Sequence, residues 1–479
     1  SIRRQRQMCI RDRNSTMTEQ LKLKLNDSKA TRWGALVIVA FTMMAAYYVN
    51  DVVAPLKTML ETDLAWSSTD FGFFTGGYSF LNVFFLMLIW GGLILDRFGI
   101  RFTGKLATIL MVGGTALEYY AMTGLAGADA TLFGINEILG YKTGVFVAFA
   151  GYSIFGVGAE VAGITVSKII AKWFKGKELA TAMGVQVALA RIGSQAGYAV
   201  AIPLARAFGI STPVLLGLVL LLGGMIAFFI FAVMDKKLDK QMEAAAIAAG
   251  TEDEEEKFSF KDVKNILVNP GFWLIALLCV LFYSCVFPFQ KFASELMIIK
   301  YGINENVAGT FAGLPALGAL ILTPVFGGFI DKRGKSASIM LLGSAMLICV
   351  HFIYAIPDIN YWLVAIVLMI ILGIAFSLVP SAMWPAVAKI FPVSQLGTAY
   401  ALIFFIQNIG LWGIPTLIGW VLDAYCISGK KPDGTNMYDY TVPMCIFTGI
   451  ACLSLIVALL LKKADKKYGY KLEEPNIQK

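Results

Sequence analysis

The sequence predicts an all-α membrane protein with twelve transmembrane helices in two six-helix bundles. Of its 479 residues, 58% are hydrophobic and only 15% are charged, whereas a soluble globular chain carries about 25% charged residues. A helix that crosses a bilayer needs about 20 apolar residues. Twelve such segments can be recognised, at 33–55, 71–95, 106–125, 145–170, 180–204, 213–233, 272–298, 307–330, 339–356, 361–391, 396–422 and 442–461.

A polar stretch divides the chain into two halves. It contains the strings MDKKLDKQMEAAAIAAG and TEDEEEK, which are too charged to cross lipid and are typical of a solvated linker. We therefore expect a cytoplasmic N-terminal tail at 1–32, an N-terminal bundle at 33–234, a cytoplasmic linker at 235–270, a C-terminal bundle at 271–462 and a cytoplasmic C-terminal tail at 463–479.

Each half repeats one short motif directly after its second span. The strings GGLILDRFGIR and GGFIDKRGK share the spacing of their glycines and aspartate, at Gly92, Asp96 and Gly99 and again at Gly327, Asp331 and Gly334. Paired six-helix repeats are a transporter architecture. The first glycine would allow close helix approach and the second a backbone turn, while the aspartate would accept hydrogen bonds at the positive start of a neighbouring helix. Together with Arg97 and Arg333, these residues are predicted to form a latch that holds one conformation.

Basic residues in short loops predict the orientation, because they favour the cytoplasmic side. The loops after the second, fourth and eighth spans carry them, at Arg97, Arg101, Lys105, Lys172, Lys175, Lys177, Lys332, Arg333 and Lys335. Both termini and the linker are therefore predicted to be cytoplasmic. Since these residues follow the membrane topology and form no surface with interleaved aromatic side chains, nucleic acid is not an expected partner.

The first sixteen residues differ in character from the rest. The string SIRRQRQMCIRDRNST has five arginines and one aspartate, so it supplies +4 of the net charge of +8. Because MCIRDR resembles translated sequencing-adapter sequence, residues 1–16 are interpreted as foreign to the protein, with Met17 as its start. The alternative is a basic arm that contacts anionic lipid.

Two ionisable residues are predicted near the middle of the membrane, on adjacent helices. Glu160 lies ten residues before the end of the fourth span and Arg191 eleven residues into the fifth, which at 1.5 Å per residue is about 15 Å deep. Such groups cost several kcal/mol unless they are paired or hydrated, and they usually face a substrate path. We interpret them as a substrate site in which the neighbouring glycines leave room for a ligand. The alternative is a direct ion pair that orders the N-terminal bundle.

Other polar residues in the spans are weaker candidates. Asp51, at the far end of the first span, is predicted to be an outer gate, against the alternative that it reaches interfacial water. Glu118, Lys291 and Glu295 are interpreted as side chains whose charged ends reach the interface. His351, the only histidine, is expected to be a satisfied polar group without a chemical role.

No catalytic or metal-binding arrangement is found. The seven cysteines have no metal-ligand spacing, although Cys426 and Cys445 flank one outer loop and could pair. There is no phosphate-binding loop and no Ser/His/Asp arrangement. We therefore expect no enzyme activity, no metal and no cofactor.

Longer strings resemble a known family. The repeated loop resembles the signature of the major facilitator superfamily, whose members have two six-helix bundles and transport by alternating access. WFKGKELATAMGVQVALARIGS, YSCVFPFQKF and AMWPAVAKIFPVSQLGTAYALIFFIQNIGL resemble its lysosomal dipeptide transporter branch. The resemblance implies a dipeptide carrier in which the substrate carboxylate suits Arg191 and the amino group suits Glu160. It also implies further cavity residues at Tyr78, Asn82, Tyr283, Trp384, Gln407 and Asn408.

Three functions are open at this point. We favour facilitative uniport of small zwitterionic solutes, dipeptides above all, by alternating access, because a paired acid and base favour a substrate with both charges. The alternatives are a carrier of another small organic ion such as a carboxylate, proton-coupled or not, and a membrane sensor, which would be expected to carry an extra soluble domain. A fold shared by many functions does not choose among them. The Glu-x-x-Glu-Arg string of proton-coupled peptide carriers is absent, which argues against that mechanism.

The expected partners are a small-molecule substrate and the lipid bilayer, and the need for an accessory subunit is left open. A multi-pass membrane protein with both termini in the cytoplasm is predicted. The leucine-based sorting signal of the branch's animal members is not found near the N-terminus, so the cytoplasmic membrane of a prokaryote is favoured over the lysosomal membrane.

Overall fold

The computed structural model describes residues 24–127, 130–174, 178–249 and 260–475, which form helices joined by short loops. The N-terminal half contains α1 (Lys29–Val52), α2 (Lys57–Asp63), α3 (Ser68–Phe84), α4 (Met87–Thr123), α5 (Thr143–Phe174), α6 (Leu179–Phe208) and α7 (Thr212–Ala249). After a linker helix, α8 (Phe260–Val268), the C-terminal half contains α9 (Pro270–Tyr301), α10 (Glu305–Ala312), α11 (Leu314–Arg333), α12 (Ser336–Ala355), α13 (Trp362–Ile390), α14 (Val393–Tyr425) and α15 (Thr441–Tyr468). Two antiparallel hairpins lie in loops, β1 (Glu137–Ile138) with β2 (Tyr141–Lys142) and β3 (Ile427–Lys430) with β4 (Asn436–Tyr438).

The helices in the described part of the chain correspond to the twelve predicted spans. Nine helical segments there are long and apolar enough to cross a bilayer, and α3 with α4 forms a tenth unit that bends by 58°. This unit holds the second and third predicted spans, because Gly99 breaks α4 in its middle. The remaining span is α6, whose centre carries the polar residues Arg191, Ser194 and Gln195.

Local signals in the sequence set where helices begin and end. Ser67 and Asp70 exchange side-chain to backbone hydrogen bonds before α3, which satisfies amide groups that the first helical turn leaves open. Asn269 accepts a hydrogen bond from the Gly271 amide over 2.8 Å at the start of α9, and Pro270 occupies the first helical position, where its missing N–H costs nothing.

The two halves meet mainly along three pairs of helices. Inside the halves, α1 packs on α6, α4 on α5, α11 on α13 and α12 on α15. Between the halves, α3 packs on α14, and α6 packs on α10 and α11. The α3–α14 contact needs glycine, because a Cβ on Gly72 would lie 2.9 Å from the Gly419 Cα.

Both repeated loops turn at their second glycine. Gly99 has φ 75° and ψ 176°, and Gly334 has φ 70° and ψ −134°. Positive φ of this kind is readily adopted only by glycine. This is the backbone turn that the sequence predicts.

Other expectations concern the tails, the linker and the cysteines. Residues 1–16 lie outside the described part of the chain. The predicted linker is helical at both ends, since α7 extends to Ala249 and α8 begins at Phe260. Cys426 and Cys445 are free thiols, one buried and one exposed, so the pairing considered from their positions is not formed.

Candidate substrate-binding site

Glu160 and Tyr78 join α5 to α3 inside the N-terminal half. The Tyr78 hydroxyl donates a hydrogen bond of 2.8 Å to Glu160 Oε1. The helices come close here because Gly156, one turn before Glu160, lies against the Tyr78 carbonyl oxygen, where a Cβ would collide. One carboxylate oxygen is therefore fixed in position, while the residue as a whole is only half-buried.

The Arg191 guanidinium lies between two aromatic rings from different halves. Its Cζ is 5.6 Å from the ring centroid of Tyr47 on α1 and 4.8 Å from that of Phe376 on α13, within cation–π range. In the part of the chain that the structure describes, neither Arg191 nor Glu160 belongs to an ion pair. The direct ion pair between them, the alternative left open by the sequence, is thus not formed.

The glycines around these two residues mainly serve helix packing. A Cβ on Gly158 would lie 2.7 Å from the Ala107 carbonyl oxygen, and Gly193 lies against the Met44 carbonyl oxygen. Gly163, by contrast, has space, with its nearest neighbouring atom 3.9 Å away. The expectation that they leave room for a ligand is therefore wrong at Gly156, Gly158 and Gly193, because small residues in membrane helices allow backbones to approach.

Tyr283 and Trp384 form an aromatic wall on the C-terminal side. Trp384 Nε1 donates a hydrogen bond to the Tyr283 hydroxyl over 3.3 Å, and the Trp384 ring stacks on Phe404 at 4.8 Å between centroids. Phe376 meets Tyr283 edge-on at 6.2 Å. The ring that faces Arg191 thus also touches this aromatic wall.

Tyr47, which the sequence did not predict as a site residue, lies among the charged residues. Its ring centroid lies 5.6 Å from Arg191 Cζ, and Tyr47 precedes Asp51 by one turn of α1. Arg191, Tyr47, Phe376 and Tyr283 therefore share one region between the halves. Tyr47 is one of two adjacent tyrosines in an apolar span, and this pattern carries no signal that would have identified it.

The three predicted amide side chains differ in their hydrogen-bond partners. Asn82, one turn beyond Tyr78 on α3, is buried, and neither of its polar side-chain atoms has a partner among the described residues. Asn408 Nδ2 donates to a carbonyl of its own helix over 2.9 Å, and Gln407 Oε1 accepts a hydrogen bond from the Cys279 thiol over 3.7 Å. The structure thus gives Gln407 and Asn408 partners within the C-terminal half.

Asp51 forms a buried ion pair between the halves. Its carboxylate lies 3.1 Å from Lys291 Nζ on α9 and also accepts a hydrogen bond from Ser194. Lys291 donates further to the Asn50 carbonyl over 2.6 Å and lies 3.4 Å from the Tyr152 hydroxyl. The interpretation of Lys291 as an interfacial side chain is therefore wrong, because the contact between α1 and α9 covers it.

A second buried charge cluster joins the halves nearer their outer ends, opposite the ends that carry the chain's tails. Lys57 Nζ lies 2.5 Å from Glu295 Oε2 and also pairs with Glu61. Tyr440 donates to Glu295 over 2.5 Å, and Lys431 lies 3.4 Å from Glu61. Glu295 is 1% exposed, so its interpretation as an interfacial side chain is also wrong. The sequence shows charged residues spaced four apart on α2 and on α9. It does not predict that these two helices meet.

Glu118 and His351 are both fully buried. The Glu118 carboxylate has no hydrogen-bond partner within the described residues, so its interpretation as a side chain that reaches the interface is wrong. His351 Nε2 is 3.0 Å from the Cys285 carbonyl oxygen, but its Nδ1 has no hydrogen-bond partner within the described residues, so the expected satisfied polar group is met at only one ring nitrogen.

The first repeated loop is held by side-chain ion pairs on the cytoplasmic side. Asp96 accepts a hydrogen bond from Lys168 on α5 over 3.3 Å, so a lysine side chain rather than a helix start provides this contact. Arg101 lies 2.7 Å from Asp239 on the extension of α7. The Arg97 guanidinium lies over the neighbouring Phe98 ring, 5.5 Å from its centroid.

The second loop is held by the C-terminal segment instead. The amides of Lys335 and Ser336 each donate over 3.0 Å to carbonyls of Glu473 and Leu472, and the Glu473 carboxylate accepts from the Ser338 amide over 2.7 Å. Asp331 and Arg333 lie in the last turn of α11, just before this contact.

The first glycines of the two loops make no close approach in this conformation. A Cβ on Gly92 or on Gly327 would meet no atom within 4 Å. The expected close helix contact is therefore not present at either glycine in this structure.

Comparison with known proteins identifies the family. The family model described as Major Facilitator Superfamily matches residues 36–415 and 292–474. The chain belongs to the major facilitator superfamily. It is therefore a multi-pass membrane transporter and not an enzyme, as the sequence predicts.

Curated relatives within the superfamily extend over most of the chain. The protein is 29% identical over 454 residues to the lysosomal dipeptide transporter MFSD1 of Homo sapiens, covering 92% of this chain and 88% of the relative. The transporter of the same name from Danio rerio is 26% identical over 441 residues, covering 90% and 86%. The resemblance to lysosomal dipeptide transporters is confirmed.

Solved superfamily structures share the fold. A peptide transporter, POT, has a TM-score of 0.66 at 14% identity, covering 95% of this chain and 98% of that one. The nucleoside transporter NupG has a TM-score of 0.66 at 12% identity, covering 89% and 98%. The predicted all-α fold of the superfamily is confirmed, and at these identities the likeness concerns the fold alone.

Proposed function

We propose that this transporter carries dipeptides by facilitative uniport and binds the zwitterion between Glu160 and Arg191. One observation carries the proposal: neither of these ionisable groups is ion-paired with a described residue, yet each is held in place. Tyr78 fixes Glu160 through a 2.8 Å hydrogen bond, and the rings of Tyr47 and Phe376 flank Arg191. Curated relatives that are named dipeptide transporters support the choice of substrate.

The chemistry of a dipeptide matches this arrangement at both ends. The planar Arg191 guanidinium presents a fork of N–H donors to the C-terminal carboxylate, and Glu160 accepts from the ammonium group. Each charge-assisted hydrogen bond contributes about 1.5–3 kcal/mol, which offsets the lost hydration of the two charged ends. Because a dipeptide with uncharged side chains has no net charge, charge balance requires no accompanying proton.

Alternating access would open this region to one side of the membrane at a time. Within the described residues, the ion pairs between the halves are Lys57–Glu295, Asp51–Lys291, Lys431–Glu61 and Arg206–Glu305. All four belong to the outer ends of the bundles, so this conformation is closed on the outside. We propose that these pairs break when the outer side opens, and that Asn82, Tyr283, Trp384, Gln407 and Asn408 line the path for the substrate side chains.

The proposal is tested with the purified transporter. A ligand that binds only the folded state raises the melting temperature, so dipeptides should raise it, while single amino acids and dicarboxylates should not. In liposomes loaded with a pH-sensitive dye, dipeptide uptake should proceed without acidification of the lumen. Stabilisation by dicarboxylates would instead favour a carboxylate carrier, and proton movement with the dipeptide would rule out uniport.

The proposal does not depend on which membrane holds the protein. The relatives are named lysosomal, whereas the sequence reading favours a prokaryotic cytoplasmic membrane. Recognition of a dipeptide between an acid and a base is the same in either location.

A further inference from the structure

The ring nearest to Arg191 belongs to the other half of the molecule. Arg191 lies on α6, and its first ring, Tyr47, lies on α1, which packs against α6 in the same half. The second ring, Phe376, comes from α13 of the C-terminal half and is the closer one, at 4.8 Å against 5.6 Å. We infer that Phe376 is a positioning residue for Arg191, so that the C-terminal half completes the carboxylate pocket. This inference rests on the proposed function.

A ring over the guanidinium suits the task of binding a carboxylate. The negative face of an aromatic ring attracts a cation above it. Such a ring occupies the flat face of the guanidinium and leaves its in-plane N–H fork available for a bidentate partner. Since no described acidic residue pairs with Arg191, the two rings are the groups that the structure provides to hold this side chain in place.

Phe376 is itself firmly packed. Its residue is 2% exposed, and its ring meets those of Phe287 and Tyr283 edge-on at 5.3 Å and 6.2 Å. Edge-to-face contacts of this kind fix a ring in one orientation. Phe376 therefore presents its ring to Arg191 from a rigid aromatic group.

The backbone beside Phe376 is less constrained than its ring. Pro380 lies four residues later inside α13 and has no N–H, so it gives the Phe376 carbonyl no helical hydrogen bond. When the halves move, Tyr47 moves with Arg191, whereas Phe376 moves with the opposite half. The Phe376 contact is thus the one that changes during the cycle, and it links affinity for the carboxylate to the conformation of the transporter.

The experiment compares two ligands on four forms of the purified full-length transporter. The ligands are a free dipeptide and the same dipeptide with an amidated C-terminus, and the forms are wild type, Phe376→Leu, Phe376→Trp and Phe289→Leu. Phe289 is the matched control, because it is another buried phenylalanine of the C-terminal half, packs against His351 and Phe447, and has neither a ring contact with Phe376 nor a cation–π contact with Arg191. Affinity is measured by equilibrium binding, and KM and kcat by uptake into liposomes.

Phe376→Leu should weaken binding of the free dipeptide about tenfold and leave the weaker affinity for the amidated dipeptide unchanged. KM should rise while kcat is kept, and Phe376→Trp should restore the affinity, since indole is the strongest cation–π partner. Phe289→Leu should affect both ligands equally. An equal loss for both ligands in Phe376→Leu, no loss at all, or a failure of the folded Phe376→Trp form to restore affinity would overturn the inference. If wild type itself fails to bind the free dipeptide, the proposed function fails instead.

Discussion

The charged residues buried in this transporter differ in whether an opposite charge neutralises them. Asp51 and Lys291 are ion-paired across the halves at 3.1 Å, whereas Glu160 and Arg191 have only uncharged partners in the described structure. Removing one partner of a buried pair leaves an uncompensated charge, which costs about 3–5 kcal/mol. The paired residues therefore stabilise a conformation, and the unpaired Glu160 and Arg191, which are only half-buried, differ from the unpaired but fully buried Glu118 in being available to a ligand.

Lys291→Met should lower the melting temperature and slow transport, because it leaves the Asp51 carboxylate buried without its cation. Asp51→Asn should have the same two effects, and the double variant should lose less stability than the sum of the losses in the two single variants. Arg206 and Glu305 provide the control, since their side chains are 42% and 39% exposed and a surface pair contributes about 0–1 kcal/mol. If Arg206→Ala lowers the melting temperature as much as Lys291→Met does, burial does not explain the contribution of the Asp51–Lys291 pair to stability.

The repeated loops use their two glycines for different purposes. Gly99 has a backbone conformation that only glycine adopts readily, with open space around it. Gly92 lies within a helix, and a Cβ added there would meet no atom within 4 Å. Strain at Gly99 is therefore independent of crowding. At Gly92, crowding can arise only in a conformation other than this one.

Gly99→Ala should destabilise the protein by about 1–3 kcal/mol, the usual cost of holding a non-glycine residue in such a region. Gly92→Ala should leave the melting temperature unchanged or raised, because alanine suits a helix better, but it should slow transport if the loop closes on a neighbouring helix during the cycle. Thermal unfolding measures the effect of each substitution on stability, and initial uptake rates measure its effect on transport. A Gly92→Ala form with full transport rate would exclude a contact at this glycine from the cycle.

Helices were easier to predict than their contacts. Apolar runs near the length of a membrane span correspond to helices throughout the described residues, and the Gly99 and Gly334 turns follow from the spacing of the motif. Which helices meet depends on contacts between residues far apart in sequence, so the pairing of Lys57 with Glu295 was not predictable. The glycines near Glu160 illustrate the same difficulty, because packing and ligand space use the same residue type.

At the scale of the whole molecule, the outer ends of the two halves are joined by charge. Lys57 lies between Glu61 and Glu295 and over the Tyr438 ring, 4.7 Å from its centroid. Asp423 of α14 adds a contact by accepting a hydrogen bond of 2.5 Å from the Thr69 amide at the start of α3, where an anion is favoured. These contacts join the two halves at these ends, and under the proposed alternating access they would stabilise an outer-closed conformation.

Lys57→Met should shift the population towards an outer-open state, because it leaves the carboxylates of Glu61 and Glu295 with the single cation Lys431. Spin labels on the exposed residues Asp63 and Met437 report the distance between the outer ends, which should lengthen relative to wild type. Lys430→Met is the control, since Lys430 is exposed and bonds only to its neighbour Asn436 among the described residues. Equal distance distributions in wild type and Lys57→Met would show that this cluster does not hold the outer side closed.

Recognition of a zwitterion by Glu160 and Arg191 is tested by pairing each residue with the ligand group that it should bind. Affinities are measured for a free dipeptide and its N-acetylated form on wild type and on Glu160→Gln. Glu160→Gln should lower the affinity for the free dipeptide about tenfold or more, the equivalent of one charge-assisted hydrogen bond. The acetylated dipeptide already binds more weakly to wild type, and its affinity should fall little further on Glu160→Gln. If both ligands lose equally, Glu160 is a structural partner within the bundle and does not bind the amino terminus of the substrate.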